Sequence, residues 1–343
     1  MELSPKNIVI RMPNWLGDAV MAAPLLQLLK QKFPDARLTL YGTKASLALF
    51  EYDPHVDHFL TLDKNKSGQL KIQELKESKF DYGVLLTNSF SSAWLFFRAK
   101  IPNRLGFSKD MRALFLTHSL AYPKDKSKMH HIKLYQELLK KVGINKESNP
   151  KLYLSDAEKK WATNFLLEQG IEPGSILIGI NPSAAFGSSK CWLEDRFREL
   201  SIELLKHPST HLLFFGDSSA KEKNERICSG LQSSTNLAGK TSIRQLMALT
   251  QKCDLFLTND SGPMHIACAI NTPVVALFGS TSPEATGPYG KGVYLREKVS
   301  CSPCYKRECP IDFRCMKAIK VQDVHQTIQN QLKKYQQNTT EFA

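Results

Sequence analysis

Residues 254–288, DLFLTNDSGPMHIACAINTPVVALFGSTSPEATGP, constrain the fold of this chain more than any other stretch. The apolar run 255–258 predicts a short buried strand. It stops at Asn259-Asp260-Ser261-Gly262-Pro263, where Asp, Ser and Gly favour a turn and Pro263 suits the first turn of a helix. Residues 264–270 continue as that helix, and 273–279 form a second strand. Strand, polar turn, helix, strand is one βαβ crossover, which belongs to a parallel sheet. The helix opens from the carboxyl end of a strand, where free N–H groups and the positive end of the helix dipole suit a phosphate. An ordinary capped crossover would carry the same turn. Asp260, Ser261 and His265 cluster at one helix start, however, and a second Ser/Thr-rich turn, residues 279–283, follows the next strand. Both turns fall on the sheet edge where ligands bind.

The same alternation runs through the chain. Strands are predicted at 7–11, 37–41, 58–62 and 82–86, with helices at 19–33, 47–52, 69–77 and 93–99, the last capped by residues 88–92. Residues 101–128 are irregular and basic; 130–142 form an amphipathic helix, and 156–169 a polar connecting helix. The pattern restarts with strands at 176–181 and 212–215, a Gly/Ser loop at 182–190, and helices at 195–206, 221–229 and 242–251. A terminal helix at 321–335 is polar enough to lie on the surface of both halves. At 343 residues the chain can build two cores. The expected class is α/β: two Rossmann-like domains, 1–155 and 156–320, their parallel sheets facing a central cleft, then a helix and tail over 321–343.

Charge narrows the function classes. Lys and Arg number 46 against 33 Asp and Glu, a formal net charge of +13. Nucleic acid, an anionic membrane surface or a phosphorylated substrate each suits that excess, as do merely solvated lysines. Nucleic acid is not expected as a partner, because zinc-finger spacing, RNP-type aromatics and a basic heptad region are all missing. No apolar run approaches membrane-spanning length and the first residues lack a signal-peptide pattern, so the cytoplasm is the expected compartment.

A few residues stand where chemistry is possible. Asp18, where the first strand's turn becomes a helix, is placed to take a proton from a hydroxyl or simply to stabilise that helix start. Lys190 closes the small-residue loop 182–189 that begins Pro182-Ser183, and it suits a departing diphosphate or plain solvent. That loop has neither G-x-x-x-x-G-K-[ST] nor G-x-G-x-x-G, which excludes a P-loop and argues against a dinucleotide-dependent dehydrogenase. Asp217 or Glu222, after the strand LLFF, could hold a ribose hydroxyl pair; an N-cap serves equally well. Four of the eight cysteines, Cys301, Cys304, Cys309 and Cys315, lie within fifteen residues and suit a tetrahedral structural zinc or remain reduced thiols.

Three segments carry a family resemblance. NWLGDAVMAAPLLQLLKQKFPDARLTL (14–40), NPSAAFGSSKCW (181–192) and TNDSGPMHIACAINTPVVALFGSTSPE (258–284) resemble bacterial ADP-heptose:lipopolysaccharide heptosyltransferases of glycosyltransferase family 9. DYGVLLTNSFSSAWLFFRAKIPNRLGF (81–107) is similar to the type II branch. The resemblance implies a GT-B fold and an inverting transfer from ADP-L-glycero-D-manno-heptose that needs no catalytic metal. The acceptor it implies is heptosyl-Kdo2-lipid A, reached from the cytoplasmic face of the inner membrane. It assigns Asp18 as general base, Lys190 as the lysine neutralising the diphosphate, and Asp260 as a sugar-contacting carboxylate. Ser261, Gly262, His265 and Ser183 complete the donor site with Asp217 and Glu222. Arg98, Arg104, Arg112 and Asn88 are expected to face the anionic acceptor and the membrane surface. Ser183 stands where glycine is common in the family, Ala185 where an acid is common, and Cys191-Trp192-Leu193 replaces a basic-Trp-Pro run. Type I or III acceptors, or a non-enzymatic nucleotide-sugar-binding role, are the alternatives.

Overall fold

The computed structural model describes residues 4–109 and 111–340. Its chain parts into two compact units between Tyr153 and Leu154. The first unit holds β1 (Asn7–Arg11), β2 (Arg37–Gly42), β3 (His58–Thr61), β4 (Tyr82–Leu85), β5 (Asn103–Ser108) and β6 (His118–Ala121). They form one parallel sheet in the order β3-β2-β1-β4-β5-β6. The second unit repeats the plan with β7 (Ile176–Asn181), β8 (Thr210–Phe214), β9 (Ser234–Asn236), β10 (Leu255–Asn259), β11 (Val274–Phe278) and β12 (Gly292–Arg296). Their order, β12-β11-β10-β7-β8-β9, is the same winding. Strand order therefore reverses between β1 and β4 and again between β7 and β10, and ligands bind at such reversals.

The central strands are apolar throughout because helices cover both faces. Ile8, Val9 and Ile10 of β1 and Leu255, Phe256 and Leu257 of β10 are wholly buried. β7 and β10 align with Gly179 opposite Phe256 and Asn181 opposite Thr258, which brings their carboxyl ends level.

Several elements differ from the sequence expectation. The helix expected over 19–33 is two, Leu16–Ala22 and Pro24–Lys32, because Pro24 has no N–H to continue the first ladder. β5 and β6 lie within the stretch expected to be irregular, and β9 and β12 extend the second sheet. The terminal helix Val321–Thr340 packs into the second unit, with Val324, Ile328 and Leu332 in the same core as Trp192, Phe197 and Met316. The Trp192 indole N–H donates to the Ile319 carbonyl at 3.2 Å, fixing that helix's approach. Glu158 in the helix Asp156–Glu168 takes two bonds from the Arg244 guanidinium, each 2.7 Å, joining it to the helix Ile243–Lys252. Among the described residues no helix is long and apolar enough to cross a membrane.

Candidate active site

At the β7/β10 reversal the second unit assembles a polar cluster from four separate loops. Asp260, immediately after β10, is almost inaccessible, with its side chain 4% exposed. A carboxylate so buried needs compensating partners. Lys190 Nζ donates to its Oδ2 at 2.6 Å, Thr281 Oγ1 donates to the same oxygen at 2.6 Å, and Thr286 Oγ1 approaches Oδ1 at 3.4 Å. The Lys190 ammonium also stands 4.9 Å from the centre of the Phe186 ring, over which the Arg307 guanidinium lies at 5.5 Å.

Beside this pair the helix Gly262–Ala269 begins. Ser261 is its extended N-cap, yet its hydroxyl makes no capping bond to the first turn. It turns instead to Thr258 Oγ1 at 3.0 Å and Asn181 Nδ2 at 3.1 Å. Pro263 carries no N–H and the Met264 amide closes on the Ser261 carbonyl at 3.2 Å, so the Gly262 amide is what this helix start leaves for an anion, in the electrostatic field that favours one. Asn181 also donates to the Ser183 carbonyl at 2.9 Å, fixing the start of the lysine-bearing loop. His265 is buried one turn into the helix.

The loop carrying Lys190 is braced by the cysteine-bearing segment. Gly187 adopts φ +154°, and a Cβ there would lie 2.2 Å from the Arg307 carbonyl oxygen, so only glycine allows the approach. Ser189 N–H donates to that carbonyl at 3.1 Å; its hydroxyl bonds the Lys306 carbonyl and meets Ser280 Oγ at 3.1 Å. The Cys304 and Tyr305 amides both donate to the Ser280 carbonyl, at 3.1 and 2.8 Å. A Cβ on Gly279 would meet Met316 Sδ at 2.3 Å and Cys315 Sγ at 3.0 Å, so this segment packs directly under the Ser/Thr turn that supplies Thr281. Burial, and then the neighbouring thiols of Cys301, Cys309 and Cys304, push the Cys315 thiol up. All four are free thiols, and among the described residues no group of three or more His, Cys, Asp or Glu is arranged to hold a metal ion.

Asp217 and Glu222 do not join the cluster through any hydrogen bond among the described residues. Asp217 caps the turn Ser218–Ala220, accepting from Ser219 N at 3.0 Å and Ser219 Oγ at 2.5 Å, and Glu222 is exposed. The next residue, Lys223, ties this helix to the loop instead, donating to the Pro182 carbonyl at 2.9 Å.

In the first unit Asp18 lies in the first turn of Leu16–Ala22, after β1. Its Oδ1 is 3.7 Å from Nδ1 of His131, the residue that opens the helix His131–Leu139. Asp18 remains 31% exposed on its side chain, which leaves it reachable by a hydroxyl. Burial, and then the Asp18 charge, push the phenols of Tyr122 and Tyr135 upward, so both stay protonated beside it.

The expected acceptor arginines need correction. Arg112 is wholly buried: Nη1 donates to the Thr87 carbonyl and lies 3.3 Å from Asn88 Oδ1. Its charge holds the loop after β4 and is not presented outward, and Asn88 is engaged with it. Arg104 is half-buried, with Nε donating to the Phe115 carbonyl at 2.6 Å and Nη1 bonding the Ile101 carbonyl. Arg98 alone of the three is exposed, its guanidinium 5.3 Å from the Trp94 ring centre. Sequence reasoning passed over Asn181, Thr286, Arg307 and His131. Thr281 lay in a turn that was singled out, and the His130-His131 pair at a helix start was the available signal for the last.

The chain is similar to known proteins of one family. A family model described as glycosyltransferase family 9 (heptosyltransferase) matches residues 70–313. Lipooligosaccharide heptosyltransferase 2 of Campylobacter jejuni is 30% identical, over 95% of this chain and 98% of the relative. Lipopolysaccharide heptosyltransferase 2 of Escherichia coli K12 is 30% identical over 82% of this chain and 85% of its own. The solved structure of E. coli ADP-heptose lipopolysaccharide heptosyltransferase II superposes with a TM-score of 0.83 at 27% identity, covering 96% of this chain and 99% of that one.

Proposed function

Because this chain belongs to glycosyltransferase family 9 (heptosyltransferase), a family of GT-B fold, we propose that it transfers L-glycero-D-manno-heptose from ADP-heptose to the first heptose of heptosyl-Kdo2-lipid A. The observation that carries this reading is the ammonium of Lys190, held against Asp260 beside the open helix start at Ser261-Gly262. A diphosphate leaving group needs such a site, because negative charge grows on it as the glycosidic bond to phosphate breaks.

In this mechanism Asp18 accepts the proton of the acceptor hydroxyl as that oxygen attacks the anomeric carbon from the face opposite ADP, inverting it. His131 orients the carboxylate. The bond to the diphosphate oxygen breaks, and its electron pair is stabilised by Lys190, the Gly262 amide and the positive end of the helix Gly262–Ala269. Asp260, released by the exchange of Lys190 toward phosphate, is then free to accept from a sugar hydroxyl. The enzyme works in the cytoplasm, peripheral to the inner membrane, where a lipid A-anchored acceptor is presented. A structural zinc on Cys301, Cys304, Cys309 and Cys315 plays no part in these steps; elemental analysis of the purified protein tests it, one equivalent supporting it and none removing it.

The donor assignment is tested by incubating the protein with ADP-heptose, UDP-glucose and GDP-mannose in the presence of heptosyl-Kdo2-lipid A. Product from ADP-heptose alone is expected; product from another nucleotide sugar in its place overturns the assignment.

A further inference from the structure

The first unit carries an apolar surface that the mechanism above does not use. On the helix Phe90–Arg98, residues Phe90, Trp94 and Phe97 are 48%, 38% and 41% exposed, and their spacing puts them on one face. They gather around Phe115, Phe90 and Trp94 edge-on and Phe97 tilted, with ring centres 5.2, 5.1 and 5.3 Å from it. Phe115 closes the short turn Arg112–Phe115, on which Leu114 is 74% exposed, and Met111 just before it is 76% exposed. Five of the fourteen large apolar side chains exposed among the described residues therefore fall within 25 residues of sequence. A concentration of this kind marks an interaction surface, whereas scattered exposed leucines do not.

Its rim is basic. Arg98 lies over the Trp94 ring and Arg104 over the Phe97 ring, and Lys100 and Lys109 are exposed beside them in the chain. From residue 82 to residue 124 there are six Lys and Arg against a single acid, Asp110. Aromatic rings with cationic side chains laid across them match the boundary between lipid headgroups and acyl chains. A second copy of this chain is a poorer occupant, because a two-fold contact would set the same arginines and lysines against one another.

We propose that this face docks on an anionic phospholipid bilayer, with Met111, Leu114, Trp94 and Phe97 entering the headgroup region and Arg98 and Lys100 paired to lipid phosphates. The inference deepens the functional reading above and rests on it, since an acceptor anchored by lipid is presented at such a surface. Anchoring of this type is reversible and falls with salt, because part of it is attraction to lipid charge.

The test is flotation of the full chain with vesicles of phosphatidylcholine alone, or of phosphatidylcholine and phosphatidylglycerol in equal parts, at low and high salt. A Met111→Ser/Leu114→Ser variant is compared; both side chains are mostly exposed, so the fold is kept. Wild type is expected to float with the anionic vesicles only, and the variant to bind about tenfold less. Transfer to detergent-dispersed acceptor, measured in parallel, is expected to be unchanged in the variant. Wild type that fails to float, or a variant that floats equally, overturns the docking face whatever the transfer assay gives. Concentration-dependent dimerisation abolished by the variant also overturns it, by assigning the face to a second copy. Vesicle binding without transfer instead sinks the functional reading and leaves the face standing.

Discussion

Lys190 donates to Asp260 across 2.6 Å in the second unit, although 70 residues separate them in the chain. The pairing follows from the adjacency of β7 and β10, whose carboxyl ends place the two loops side by side. In the proposed reaction this ammonium turns from the carboxylate to a diphosphate, a stronger, doubly charged partner.

Replacement of Lys190 therefore has two separable effects. Lys190→Ala leaves Asp260 buried beside Thr281 and Thr286 alone, and is expected to cost about 3 kcal/mol of stability. It is also expected to lower kcat by about 10²–10³-fold through loss of charge at the leaving group. The double variant Lys190→Ala/Asp260→Asn is expected to regain stability but not activity. Thermal melts and single-turnover rates check this, and activity restored along with stability would contradict the assigned role.

The brace under the lysine loop predicts an effect at a residue that touches no substrate. Gly187→Ala drives a Cβ against the Arg307 carbonyl, so either the loop or the segment behind it must move. A shift of about 1 Å is enough to cost roughly 10²-fold in rate. The expected result is a lowered kcat with a stability loss of about 1–3 kcal/mol. Steady-state kinetics on the folded variant provide the check.

Stability against acid should depend on Glu158. Burial alone would raise its carboxyl, but the bonds from Arg244 and the Ser155 amide outweigh that and hold it below the ordinary carboxylate value. A carboxyl depressed in the folded state stabilises above its unfolded pKa, and that contribution disappears as pH falls through the folded value. Glu158→Gln is thus expected to lower Tm at about pH 7 and to make little difference at a pH below the folded value, where the wild-type carboxyl is also protonated. Equal losses at both pH values would mean that packing, not charge, is what the variant removes.

Much of this architecture was legible in the chain because the central strands are apolar runs bounded by turn residues: Ile176–Asn181 reads as a strand with the same limits in sequence and structure. The four strands passed over lack that signature. β6 (HSLA) and β9 (STN) are short and polar, and β12 stands at a sheet edge where burial on both faces is not required. The split at Pro24 was written in the sequence, yet apolar residues continued at helical spacing across it and hid the break. For the site, residue type and position marked Lys190 and Asp260 as candidates and the family resemblance assigned their roles, but neither showed their pairing, which depends on strand adjacency. Arg112 shows the opposite failure: a cationic side chain in a basic stretch suggests a surface, whereas this one is consumed by the carbonyl of Thr87. His131 was invisible as a partner of Asp18 because 112 residues and five strands of the sheet intervene.

The central claim, heptosyl transfer with Asp18 as base, is met most directly by one assay. Purified wild type and Asp18→Asn are supplied with ADP-heptose and either heptosyl-Kdo2-lipid A or the heptose-free acceptor, and product is followed under single-turnover conditions. The account predicts product on the heptosylated acceptor only, with the rate falling about 10²–10⁴-fold in Asp18→Asn while donor binding is kept. An Asp18→Asn rate equal to wild type, or turnover on the heptose-free acceptor alone, would contradict it.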